Sequence, residues 1–215
     1  MLKRLLPVIA GLLLASACSA QAPAAAPYRL GVQYVAITPA QPLVNDGRIE
    51  VVEGFSYACP HCWHFEPYAE QIQKQLPKGV VFRRVPAVFS PAWEPYARAF
   101  YAAQKLGVLG KTHDALFKAL HEQHEPLYSL QDLAGFYARH GVKQAEFLRI
   151  ANSDAVDRQM THDVRLEQAW GIEGTPTIVV DGKYRSGRIE SYDELVKLTL
   201  WLVRKEQAAR AHPHP

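Results

Sequence analysis

Cys59 and Cys62 stand with two residues between them in the run Cys59-Pro60-His61-Cys62. Thiols at this spacing can close a disulfide within one helical turn, hand it to a partner and recover it. From Cys62 onward apolar residues recur at Phe65, Ala69, Ile72 and Leu76, which is helical spacing. Pro60 fits an early helical position, where its missing N–H costs nothing. Cys59 is therefore expected at the helix start and Cys62 one turn in. Unpaired N–H groups at a helix N-terminus favour an anion, so the Cys59 thiol should ionise below the free value of about 8.5. His61, as an imidazolium or an N–H donor, should hold the thiolate further. Stabilising that thiolate stabilises the reduced pair, and its disulfide is then given away readily. Cys59 is expected to be the exposed, attacked sulfur and Cys62 the buried, resolving one.

The surrounding pattern supplies elements to position the pair. Ile49 to Phe55 is β-branched and compact, a core strand running into the cysteines. A short strand is expected within Gly31 to Thr38, and another over Val80 to Val85. Pro67 lies inside the cysteine helix and should kink it. Residues 92–170 read as helical almost throughout. Trp93, Ala97, Phe100 and Tyr101 share one face, and Leu116, Phe117 and Leu120 another. Ser129 to Asp132 predicts a helix start and Gly141 a stop. A further helix is expected from Asp154 to Trp170, ending at Gly171. Thr177 to Val180 is again strand-like, and Asp181-Gly182 signals a hairpin. Ser191-Tyr192-Asp193-Glu194 reads as a capping box opening a helix through Leu195, Leu198 and Leu202. The order is βαβ, a helical block, then ββα: one α/β domain carrying a helical insertion.

Composition narrows the function classes. The chain has 215 residues, 48% of them hydrophobic, enough for one sizeable core. Its formal charge is +3; two of the positives, Lys3 and Arg4, lie in an N-terminal export signal, which leaves +1. No run of like charge suggests a nucleic-acid partner. Residues 1–20 carry a basic start, an apolar stretch from Leu5 to Ala15 too short to span a bilayer, and small residues around the cleavage position. Cleavage after Ala20 gives a soluble protein. Cleavage before Cys18, at a lipobox-like Leu14-Ala15-Ser16-Ala17-Cys18, gives a lipidated Cys18. The folded domain keeps only Cys59 and Cys62, so it is not a disulfide scaffold. A staple so short would stabilise little. The two thiolates with His61 and His64 could instead bind zinc or copper(I). No second Cys-x-x-Cys exists to support that, and His64 is expected on the helix surface.

The segment Phe55 to Glu66, with Pro60-His61 between the cysteines, resembles the active-site segment of DsbA-type thiol:disulfide oxidoreductases. Gly174-Thr175-Pro176-Thr177 resembles that family's cis-proline loop. The helical block between the motifs resembles the family's insertion into a thioredoxin fold. The resemblance covers roughly residues 28–205. It implies a thioredoxin fold with an inserted α-helical domain, with 28–90 and 171–207 forming the thioredoxin-like part and 91–170 the insertion. Residues 21–27 are expected as a flexible leader and 208–215 as a disordered tail. It implies a cis Pro176 beside the cysteines, with the Thr175 backbone pairing to an extended substrate. Glu53 falls where the family has a buried acid that can shuttle protons to Cys62; a solvated strand-end Glu is the plainer reading. Arg84 falls near where some members carry a Lys partner for that acid. The implied activity is a periplasmic dithiol oxidase without cofactor beyond the Cys59–Cys62 disulfide. Its implied partners are unfolded exported proteins with free thiols and a DsbB-like quinone-linked membrane oxidase.

Three features depart from familiar members: Thr175 where Val is common, Ala58 where a bulky aromatic is common, and Arg84 in place of Lys. The first resembles the isomerase branch. A reductase or isomerase, and a Cys/His metal chaperone, are therefore the alternative readings. Isomerases of this type need a dimerisation domain; none is visible, so a monomer is expected. Glutathione-dependent relatives replace the first cysteine, which is intact here.

Overall fold

The computed structural model describes residues 26–44 and 46–212. The export signal, Cys18 and most of the leader lie outside the described residues.

The described residues form a five-stranded mixed sheet in the order β1-β5-β4-β2-β3. Its strands are β1 (Tyr34–Ala36), β2 (Ile49–Phe55), β3 (Val80–Pro86), β4 (Thr177–Val180) and β5 (Tyr184–Ser186). β2 and β3 run parallel, joined through helix α1 (Pro60–Gln75); β4 pairs antiparallel with β2, and β5 with both β4 and β1. β1 is shorter than its pattern suggested, because Gly31, at φ 79°, turns the chain and residues 31–33 form that turn.

All seven residues of β2 are buried. Successive side chains point to opposite faces, so Val51 joins the core under α1 and the last helix, α7 (Tyr192–Ala211), with Phe65, Ile72, Leu198 and Leu202. Val52 joins the other face with Val85, Leu166 and Trp170. The sheet is thus covered on both sides. Fully burying each such side chain contributes roughly 1.5–3 kcal/mol, so the sheet can hold α1 firmly. Glu53 falls on the α1 face of β2, below the cysteines.

Helices α2 (Glu94–Lys105), α3 (Leu109–His121), α4 (Leu130–Arg139), α5 (Gln144–Ala151) and α6 (Asp154–Trp170) come between β3 and β4. The first four have their own core, built on Phe100, Leu116, Phe117, Leu133, Tyr137 and Phe147. That core also takes in Phe55, Tyr57, Cys59 and Cys62, so the insertion packs directly on the cysteine turn. α6 covers the sheet and stops at Gly171, whose φ of 68° a residue with a Cβ adopts only at a cost. The chain then enters the Gly174-Thr175-Pro176 loop.

α1 spans Pro67, which cannot donate to the Trp63 carbonyl, as one helix. Two local expectations need correction. Ser191 caps α7 by accepting from the Glu194 amide, but the Glu194 carboxylate accepts from Glu190 N–H instead of Ser191 N–H, so the box is half-formed. The reciprocal box is at Ser129 and Asp132. Finally, α7 runs to Ala211, into the expected tail. Alanines at 208, 209 and 211 favour helix, and Arg210 ties the last turn to Asp181 at 2.7 Å.

Candidate active site

β2 delivers the chain to Tyr57, and Cys59 is the N-cap of α1, with φ −92° and ψ 114°. Pro60 is the first helical residue, as its fixed φ favours. The turn is closed by Cys59 N–H donating to Ser56 O at 3.1 Å and by Ala58 N–H donating to Ser56 Oγ at 3.2 Å. The first turn of α1 carries no acidic residue, so no carboxylate competes there for the helix's positive end.

Both cysteines are free thiols in this structure. Their environments differ sharply. The Cys59 thiol is lowered to about 5, chiefly by a hydrogen bond from Cys62, then by Thr175 and the backbone amides of Cys62 and His61. These contributions outweigh partial burial, which acts in the opposite direction. The Cys62 thiol is pushed far up by burial first, then by its bond to Cys59 and the nearby Glu53 charge. One sulfur is held as an anion and the other as a neutral donor to it.

Cys59 is more covered than expected: it is 6% exposed, against 0% for Cys62. The loop across the helix tip and the insertion core that takes in Cys59 both cover it. The Thr175–Pro176 peptide bond is cis, and Cys59 Sγ lies 3.4 Å from the Thr175 carbonyl oxygen. Topology places this loop just before β4, and β4 pairs with β2, so both motifs reach the same end of the sheet. His61 is exposed, and its carbonyl accepts from the Tyr192 hydroxyl at 3.1 Å. His64 is exposed on α1.

Glu53 is fully buried, not a solvated strand end. It faces Arg84 in the parallel register of β2 and β3. Arg84 Nε donates to Glu53 Oε2 at 2.9 Å, and the same guanidinium donates to Glu66 Oε2 at 2.9 Å. Burial raises the Glu53 carboxyl above its ordinary range, opposed in part by Arg84. A buried acid that keeps a proton near neutrality is equipped to exchange it.

Sequence reasoning missed a second layer around the turn. The Tyr57 hydroxyl lies 2.7 Å from His113 Nδ1, and His121 Nε2 donates to the Tyr57 carbonyl at 2.7 Å. Both histidines belong to α3, so the insertion grips the residue two before Cys59 at both ends. Trp63 stacks on Phe117 and His121. Some signal was present: Glu66 lies one turn beyond Cys62 on the buried face of α1, and His113 shares the apolar face of Leu116 and Phe117.

Comparison with known proteins matches this arrangement. A family model described as a DSBA-like thioredoxin domain matches residues 50–197. The chain belongs to the DsbA family. Thiol:disulfide interchange protein DsbA of Pseudomonas aeruginosa is 39% identical over 184 residues, covering 85% of this chain and 87% of that protein. The DsbA protein of Burkholderia cepacia is 36% identical, covering 86% and 88%. The crystal structure of Pseudomonas aeruginosa DsbA superposes with a TM-score of 0.80 at 38% identity, covering 86% of this chain and 97% of that one. That of the Xylella fastidiosa oxidoreductase DsbA gives 0.79 at 37%, covering 82% and 96%. Membership of the DsbA family gives the chain its thioredoxin fold with a helical insertion, its dithiol oxidase class and its periplasmic setting.

Proposed function

We propose that this DsbA-family protein donates a Cys59–Cys62 disulfide to exported proteins as they fold in the periplasm. The observation that carries the reading is the split between the thiols, Cys59 lowered to about 5 and Cys62 pushed far up. A substrate thiolate attacks Cys59 Sγ; the Cys59–Cys62 bond breaks and Cys62 leaves as a thiolate. Cys62 takes a proton, for which the buried Glu53 carboxyl is the nearby source. A second substrate thiolate attacks the mixed disulfide at the substrate sulfur, and Cys59 leaves as a stable thiolate. The substrate loses two electrons and the pair gains them. A membrane oxidase of DsbB type, passing the electrons to quinone, restores the disulfide.

Pro60 starts the helix that holds the thiolate, and the His61 backbone amide helps to lower the Cys59 thiol. The Thr175–Pro176 segment, lying over Cys59, offers an edge on which an extended peptide can add as a strand. The protein acts as a monomer, the helical insertion taking the place of a partner on the cysteine turn. The N-terminal residues support two mature forms, soluble after loss of 1–20 or anchored through a lipidated Cys18; intact mass of the native protein distinguishes them.

Mixing the oxidised protein with a reduced, unfolded secreted protein tests the reading. Cys59→Ser should abolish thiol oxidation, and Cys62→Ser should accumulate mixed disulfides through Cys59. Trapping through Cys62 instead would reverse the assignment.

A further inference from the structure

We propose that Glu66, His113 and Asp114 form a site for a divalent transition-metal ion, with zinc as the expected occupant, clamping α1 to the inserted helix α3. The site is separate from the cysteine pair and does not depend on the redox reading. One ligand atom from each of the three residues can be chosen so that all lie within 4.8 Å of one another. Glu66 is 7% exposed and His113 6%, while Asp114 is exposed at the mouth.

The geometry at the buried end points to an ion. His113 Nε2 and Glu66 Oε1 are 3.3 Å apart. Neither makes a hydrogen bond, to the other or to anything else, and both atoms are buried. Such orphaned atoms are uncommon and call for an explanation. Zinc bonds to nitrogen and oxygen of about 2.0–2.1 Å, in a tetrahedron, set ligand atoms about 3.3–3.4 Å apart. The observed spacing is that edge.

The other atom of each buried ligand is already anchored. His113 Nδ1 lies 2.7 Å from the Tyr57 hydroxyl, and Glu66 Oε2 accepts from Arg84 at 2.9 Å. With its proton on Nδ1, His113 presents a lone pair at Nε2. Outer partners of this kind orient metal ligands and set their basicity. A cavity of about 400 Å³, lined by Glu66, Asp114, His64, Glu70, Lys118 and Trp63, opens beside the site and gives the ion entry and room for a water ligand. One imidazole with two carboxylates favours zinc over magnesium or calcium, which take oxygen ligands.

The test uses the mature full-length protein without an affinity tag, carrying Cys59→Ser and Cys62→Ser so that no thiolate binds metal. Zinc chloride is titrated by calorimetry, and thermal unfolding is followed with and without it. One zinc should bind, and Tm should rise, because a ligand of the folded state alone stabilises it. Asp114→Asn, at an exposed position, should weaken binding by at least about tenfold. Tyr57→Phe, which removes only the partner of Nδ1, should weaken it by about 10- to 100-fold. Magnesium chloride should not compete. The proposal is overturned if the thiol-free protein binds no zinc, or if its affinity is the same in Asp114→Asn and Glu66→Gln.

Discussion

Cys59 and Thr175 are 116 positions apart in the chain, yet the Cys59 sulfur sits 3.4 Å from the Thr175 carbonyl oxygen. Thr175 is also among the causes that lower the Cys59 thiol. One residue thus contacts the nucleophile through its backbone and is placed to tune it through its hydroxyl. Thr175→Val keeps the shape and deletes the hydroxyl. We expect the Cys59 titration, read by thiolate absorbance, to move upward and the pair to become less oxidising. An unmoved titration would remove Thr175 from the tuning of the thiolate.

Cys62 is the largest single contributor to the lowered Cys59 thiol. Cys62→Ala should therefore raise the Cys59 value, whereas Cys62→Ser, which keeps an O–H donor, should raise it less. Equal titrations for the two variants would mean that the helix amides, not Cys62, hold the anion.

The lowered Cys59 thiol makes a signed prediction about stability. Folding takes it from its ordinary range down to about 5. Between these the unfolded reduced chain binds more protons than the folded one, so stability rises with pH. The contribution is complete above the unfolded value and lost as pH falls through about 5. The disulfide form has no such thiol. Urea unfolding of both forms across this window should show the reduced form gaining on the oxidised form as pH rises. A difference independent of pH would contradict a thiolate held in the folded state.

Glu53 has the opposite sign. Burial raises its folded value, so between the ordinary carboxylate range and that raised value the folded state binds more protons and stability falls with rising pH. In the oxidised protein Glu53→Gln should flatten part of this fall; Glu66, Asp163 and Glu167, also raised by burial, contribute to it as well. The same variant should slow substrate oxidation by up to roughly 10²-fold if Glu53 handles the Cys62 proton. Unchanged rate and pH profile would leave Glu53 a purely structural partner of Arg84.

Local signals in the chain were enough for the α/β order, the cysteine helix and the stop at Gly171, because each depends on periodicity or on one residue's backbone preference. The pairing of Glu53 with Arg84 was half visible: two residues in neighbouring strands, with the parallel register deciding that they face each other. The grip of His113 and His121 on Tyr57 was not legible. It depends on how α3 docks over the turn, and no local pattern encodes that docking. The coverage of Cys59 was missed for the same reason, since it comes from a loop and an insertion core distant in sequence.

The central claim is that this cysteine pair favours its reduced form and so acts as an oxidant. Equilibrating the purified protein with defined mixtures of reduced and oxidised glutathione, and quantifying the dithiol fraction, measures its potential directly. The account predicts a value well above the roughly −270 mV of thioredoxin, on the oxidising side of protein disulfide isomerase at about −180 mV. A value near that of thioredoxin would contradict it and make the protein a reductase.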